Sequence, residues 1–173
     1  MDTEAFDVLD GDDSDLTDDS VWGPICTAVQ AGYYQALVAA PPCGAFSRVR
    51  SLPGGPPPLR GVSGTDRYGL RNLTQARTEQ LRVHNLLALR TAEVACMIAA
   101  QGGALVIEQP AQQSGQVSMY NMDEFIQLMN PCGCVSHDCS AMPLWGTHCK
   151  THILVDSQPQ LRGHASQVQA PQA

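Results

Sequence analysis

Two short phrases in this sequence carry residue types that can do covalent chemistry. The first, Pro41-Pro42-Cys43, closes an apolar run from Gln35 to Ala40; the second, Glu108-Gln109-Pro110, closes another from Ala104 to Ile107. Short apolar runs bounded by glycine and proline read as buried strands. Two prolines fix φ and remove two backbone donors, so the first strand must stop there and present the Cys43 thiol rather than bury it. Open α/β sheets hold their ligands at the carboxyl ends of their strands, which is where this thiol and this carboxylate fall. The pair suits a nucleophile beside an acid that handles the substrate's protons.

The elements that must position them follow from the rest of the chain. Phe6 to Leu9 reads as a short strand, and Ser20 as the N-cap of a helix ending near Ala31 before Gly32. Ser51 to Gly69 holds five glycines and four prolines, so it reads as a long loop. Thr74 is placed to cap a long helix to about Gln101, stopped by Gly102-Gly103; at roughly 40 Å, a kink or break is expected in it. Met122 to Met129 reads as a shorter helix, Cys134 to His137 and Thr151 to Val155 as strands. Helices alternating with apolar strands predict an α/β domain, a Rossmann-like mainly parallel sheet with helices on both faces, to which the last strands can add an antiparallel edge. The organisation expected is an acidic segment over 1–19, the α/β domain over 20–156, and a disordered Gln/Ser/Pro/Ala-rich tail over 157–173.

The net charge of −7 conceals an asymmetry, because nine of the seventeen acids lie in the first twenty residues. The remainder carries ten basic and eight acidic residues. Eight arginines between Arg48 and Arg90 face only Asp66 and Glu79, a basic segment directly after Cys43 that suits an anionic backbone such as nucleic acid. A solvated loop and helix face would account for the same charges. No uninterrupted apolar run approaches the roughly 18 residues that span a bilayer. The amino terminus lacks the basic start, apolar stretch and cleavage site of a secretory signal, and seven cysteines, an odd number, fit free thiols. An intracellular protein without membrane attachment is expected.

In order along the chain come Pro41-Pro42-Cys43-Gly44-Ala45-Phe46-Ser47-Arg48-Val49-Arg50, Gly55-Pro56-Pro57-Pro58-Leu59-Arg60, Gly69-Leu70, Glu108-Gln109-Pro110, Asp138-Cys139 and Lys150-Thr151. This series resembles the cytosine-5 DNA methyltransferases, in a divergent branch associated with mobile elements and with viral or protist genomes. The resemblance covers residues 15 to 155. It implies that Cys43 attacks carbon 6 of a cytosine flipped out of DNA, and that Glu108 bonds the ring N3 and exocyclic amine. The methyl group would come from S-adenosylmethionine, and Lys150 falls in the last catalytic motif. By the same resemblance, Asp15 and Pro41 would touch the cofactor, and Ser47, Arg48, Arg50 and Arg60 would hold phosphates.

The departures are informative too. The glycine-rich turn that cradles the cofactor has no counterpart before Cys43, where Gly11, Gly23 and Gly32 are widely separated. The chain is therefore expected to begin after the cofactor loop, with a second chain as a source of the missing half. Gln109 stands where the family has Asn, and His148, Lys150 and His152 replace an Arg-x-Arg element. Two other classes of function stay open: a catalytically dead remnant that binds nucleic acid through its arginines, and a small zinc-stabilised interaction module. The latter would draw on Cys132, Cys134, His137, Cys139, His148, Cys149 and His152, although Cys134 and His137 lie three apart and would point to opposite faces of a regular strand. No metal ligands are assigned on that ground.

Overall fold

A computed structural model describes residues 3–110, 114–132, 135–138 and 150–154. Three helices, α1 (Asp19–Gln30), α2 (Gln75–Ala100) and α3 (Asp123–Cys132), alternate with four strands, β1 (Ala36–Ala39), β2 (Ala104–Pro110), β3 (Val135–Asp138) and β4 (Lys150–Leu154). The result is a mixed α/β arrangement.

The order of the sheet is β1-β2-β4-β3. β1 and β2 are parallel, with Ala36 opposite Ala104 and Ala39 opposite Ile107, and α2 is the crossover between them. β4 runs antiparallel to both β2 and β3. The expectation of a mainly parallel sheet is thus corrected: among the described strands there is one parallel pairing and two antiparallel ones. The reason lies in the connections. A parallel return needs a crossover of a dozen or more residues, usually a helix, and α2 supplies one; the stretch from Asp138 to Lys150 is short enough to join an antiparallel pair directly.

Alternation along β2 buries Leu105, Ile107 and Gln109 and leaves Val106, Glu108 and Pro110 half-buried. Val29 of α1, Ala88, Ala92, Ala95 and Ile98 of α2, and Phe125 and Leu128 of α3 join Leu105 and Ile107 in one buried cluster. The described helices therefore cover one face of the sheet, not both, and on β1 the Val38 side chain of the other face is 79% exposed.

Both long-range turns of the chain are set by glycine. Gly32 (φ 76°) and Gly102 (φ 77°) end α1 and α2 in the left-handed region. At each, the following residue's N–H reaches back five residues, Tyr33 to Ala28 and Gly103 to Ile98, in the double-bonded stop that satisfies the last helical carbonyls. Tyr33 and Gly103 lead into the paired strands, so the two stops fix where β1 and β2 begin.

Three further expectations change. Phe6 to Leu9 is not a strand but leads into a 3-10 turn at Val8–Asp10. α1 starts two residues early, because the Asp18 carboxylate, not the Ser20 hydroxyl, takes the cap: it accepts from the Ser20 N–H at 2.7 Å, and that bond holds its carboxyl below the usual range. α2 runs unbroken for 26 residues. By length and composition it could cross a membrane; here its buried positions pack against both parallel strands and both other helices. The tail expected after Asp156 lies outside the described residues.

Candidate functional site

β1 ends at Ala39, and Pro41-Pro42 carries the chain off the sheet into a turn in which the Phe46 N–H donates to the Cys43 carbonyl at 2.9 Å. Ala45 and Phe46 are buried beneath that turn, while Cys43 is exposed and free. Burial of Ala45 and Phe46 anchors the turn, so the thiol is held outward by packing. Ser47 then caps a 3-10 turn over Arg48–Ser51, its hydroxyl accepting from the Val49 N–H at 3.4 Å.

Parallel register places Glu108 one residue beyond the Ala39–Ile107 pair, at the same end of the sheet as the Cys43 turn. Gln109 joins the two strand ends directly: buried, it donates from Nε2 to the Pro41 carbonyl at 2.8 Å. Asn, one methylene shorter, has less reach. Lys150 is the register partner of Pro110, which brings the start of β4 to the same end of the sheet. Glu108 pairs with His152, which in turn pairs with His137, so these three occupy one register row across β2, β4 and β3. Cys43, Glu108 and Lys150 are thereby gathered at one sheet end by backbone topology alone.

The arginines separate into used and free. Arg50 donates from Nε to the Gly44 carbonyl at 2.7 Å and from Nη1 to the Pro57 carbonyl at 3.0 Å, tying the Cys43 turn to the proline run. Gly55 is needed inside that tie, since a Cβ there would come within 2.0 Å of the Val49 carbonyl oxygen. Arg60 is 2% exposed, with its guanidinium carbon 4.0 Å above the centre of the Phe46 ring and Nη1 donating to the Arg67 carbonyl at 2.8 Å. Burial lowers its pKa to about 10, so it stays charged at neutral pH. Arg67 pairs with Asp123 at 2.7 Å, Arg82 with Glu79 at 2.8 Å, and Arg90 with Asp19. Arg48 is exposed, and Arg71 and Arg77 line a groove of about 510 Å³ with Pro57, Pro58, Leu70 and Leu73. Arg71 and Arg77 were not singled out by the sequence, where they are indistinguishable from the others; their position on either side of Thr74, the residue that opens α2, is the only local signal.

Two further residues escaped the sequence reading. His84 of α2 lies against the turn after Cys43, its Cε1 3.7 Å from where a Gly44 Cβ would stand. Burial, then the charges of Arg60 and Arg50, lower its pKa. Asn85 beside it donates to the Tyr68 carbonyl at 2.8 Å, and the Tyr68 hydroxyl donates to Glu124 at 2.9 Å. This chain of bonds connects α2, the long loop and α3.

The residues expected to touch a cofactor are engaged internally. Asp15 Oδ1 accepts from both the N–H and the hydroxyl of Thr17, each at 2.8 Å, and the Pro41 carbonyl is taken by Gln109. No glycine-rich turn follows a strand ahead of β1 among the described residues, so these positions do not by themselves compose a site for S-adenosylmethionine. Of the proposed zinc ligands, Cys134, Cys139, His148 and Cys149 lie outside the described residues, and Cys132, His137 and His152 are placed by backbone alone; among the other described residues, no group of three or more His, Cys, Asp or Glu is placed to hold a metal ion.

The fold and site define a mixed α/β domain with an exposed thiol and a carboxylate at the carboxyl ends of adjacent parallel strands. Comparison of the chain with protein families, with curated proteins and with solved structures finds no match.

Proposed function

We propose that this chain is a DNA cytosine-5 methyltransferase-like domain that activates a flipped cytosine by adding the Cys43 thiolate to carbon 6. The observation that supports it most is the register of β1 and β2, which sets Cys43 and Glu108 on neighbouring strand ends with Gln109 locking one to the other. Addition forms the sulfur–carbon 6 bond and moves the ring's π pair toward carbon 5. Glu108 bonds N3 and the exocyclic amine, offsetting the negative charge that develops on the ring. With the pair at carbon 5, that carbon takes a proton from water, and reversal removes either hydrogen and breaks the sulfur–carbon bond. Arg48, Arg71 and Arg77, the arginines left free on the surface, would meet the phosphates.

Methyl transfer itself would need S-adenosylmethionine and the residues that cradle it. Because the positions available here do not make that site alone, the proposed arrangement includes a second chain that brings the glycine-rich turn.

The test separates the two halves. DNA tritiated at carbon 5 of cytosine, incubated with the chain alone, should release tritium to water, and Cys43→Ser should abolish the release. Methyl transfer from labelled S-adenosylmethionine is the second measurement. Absence of both tritium release and methyl transfer by the wild-type chain would remove the enzyme reading.

A further inference from the structure

Arg60 holds a charge in the interior without an ion-pair partner among the described residues, the Asp66 carboxylate lying beside Gly61 instead. At 2% exposure it has no carboxylate within ion-pair distance among the described residues. Nη1 is satisfied by the Arg67 carbonyl, but Nε and Nη2 are both buried without a partner. Those two donors are not a random pair. Their N–H bonds run side by side along one edge of the planar guanidinium, the edge that accepts two oxygens of a phosphate or carboxylate at once.

An isolated buried cation is costly, and an unmade hydrogen bond on a charged group adds to that cost. The Phe46 ring below the guanidinium offsets only a part, since a cation over an aromatic face is attracted to its quadrupole. What remains is an edge matched in spacing and charge to a tetrahedral oxyanion. We propose that Arg60 is an internal receptor for one phosphate group, seated on its Nε–Nη2 edge behind the Cys43 turn.

The chain leading into Arg60 is the exposed stretch from Ser51 to Pro58, tied to the turn by Arg50 on the Pro57 carbonyl. Entry of an oxyanion requires the packing around Arg60 to open. A phosphate there would neutralise Arg60 and stand beside Phe46, three residues from the nucleophile, so seating it and ordering the turn would be one event. The phosphate can be a diester of the bound strand or free phosphate. The first source rests on the nucleic-acid reading above; the second does not.

The experiment follows the Arg60 Nε–H resonance in the full-length chain by nitrogen-15 NMR, assigned with Arg60→Lys. Inorganic phosphate and a thymidine-only oligonucleotide are titrated separately, without cofactor or cytosine. A saturable shift with the oligonucleotide at lower concentration than with phosphate supports a strand diester as the ligand, and the reverse order supports free phosphate. Thermal stabilisation by phosphate should accompany the shift and be lost in Arg60→Met. No shift with either titrant, or equal stabilisation of wild type and Arg60→Met, overturns the proposal. A shift without tritium release from cytosine would count only against the enzymatic reading.

Discussion

Cys43 is presented by its neighbours rather than by its own contacts: two prolines remove it from the sheet and the buried Ala45–Phe46 pair fastens the turn beneath it. Its chemistry should therefore depend on the sulfur alone. Cys43→Ser is expected to fold with unchanged stability and to bring tritium release from cytosine down to the level of protein-free DNA, because an alcohol without a dedicated base is too weak a nucleophile. Glu108→Gln keeps the size and loses the acid, and should slow release by about 10²–10⁴-fold. His84 makes a different kind of prediction. Its pKa is lowered by burial and then by Arg60 and Arg50, so the folded state resists protonation that the unfolded chain accepts at about pH 6.5. Stability is then fully present above pH 6.5 and falls as the pH drops through the lower folded value. Asp18 and Glu79, whose pKa values are also lowered, act only further down, in the carboxylate range. Urea midpoints between pH 7.5 and 5 should decline in the wild type and stay flatter in His84→Gln; equal slopes would show that another group is responsible.

At the scale of elements, the bond from Gln109 to the Pro41 carbonyl is what makes two strand ends into one site. Gln109→Ala should cost about 1–3 kcal/mol, the range for leaving a buried group unpaired, measured by denaturant unfolding. It should also reduce tritium release beyond what the stability loss explains, since the Cys43 turn loses its brace. β1, α2, β2 and α3 were legible in the sequence because each is an apolar run ended by a glycine or proline whose backbone effect is local. The thiol and the carboxylate were legible because each lies near the carboxyl end of its strand, although β2 runs on through Glu108 to Pro110 rather than stopping at Ile107. The antiparallel pairing of the last strands was expected as well; that β4 lies between β2 and β3 was not, because a strand's place in the sheet is decided by where a connection lands, not by the residues inside the strand. Nor were the fates of the arginines. By the resemblance, Arg50 and Arg60 were expected to hold phosphates alike, but one holds the Gly44 and Pro57 carbonyls and the other lies under solvent-excluding packing. Exposure is a property of the fold around a side chain, and periodicity does not report it for a loop.

Across the whole molecule, charge is divided between a segment with nine acids and a body with ten basic residues. Arg90 holds the two together. Nearly buried on α2, it donates to the Leu16 carbonyl and, at 3.4 Å, to the Asp18 carbonyl, pairs with Asp19, and sits 5.1 Å from the centre of the Trp22 ring. Arg90→Met should release the acidic segment, lowering stability by about 1.5–3 kcal/mol and exposing 1–18 to proteolysis. Asp19→Asn should cost less than about 1 kcal/mol, since that carboxylate is 91% exposed. The same division limits how DNA can be held. With Arg50, Arg67 and Arg90 engaged inside the protein and Arg82 matched on the surface by Glu79, Arg48, Arg71 and Arg77 remain as the surface phosphate contacts of the arginine-rich stretch. A diester seated on Arg60 would add one internal contact, and the acidic segment opposes them. Each neutralised phosphate contributes about −0.9 to the slope of log affinity against log salt. Binding to duplex DNA should therefore be weak, with a slope near −3 from the surface arginines, or about −4 with a diester on Arg60, against the steeper one that eight free arginines would give. Arg71→Gln and Arg77→Gln should each make the slope shallower by about 1, read by fluorescence anisotropy across a salt series. Arg82→Gln, whose charge is already matched by Glu79, should leave it unchanged, and a slope that moves equally with all three would mean that the groove beside Thr74 is not where the strand lies.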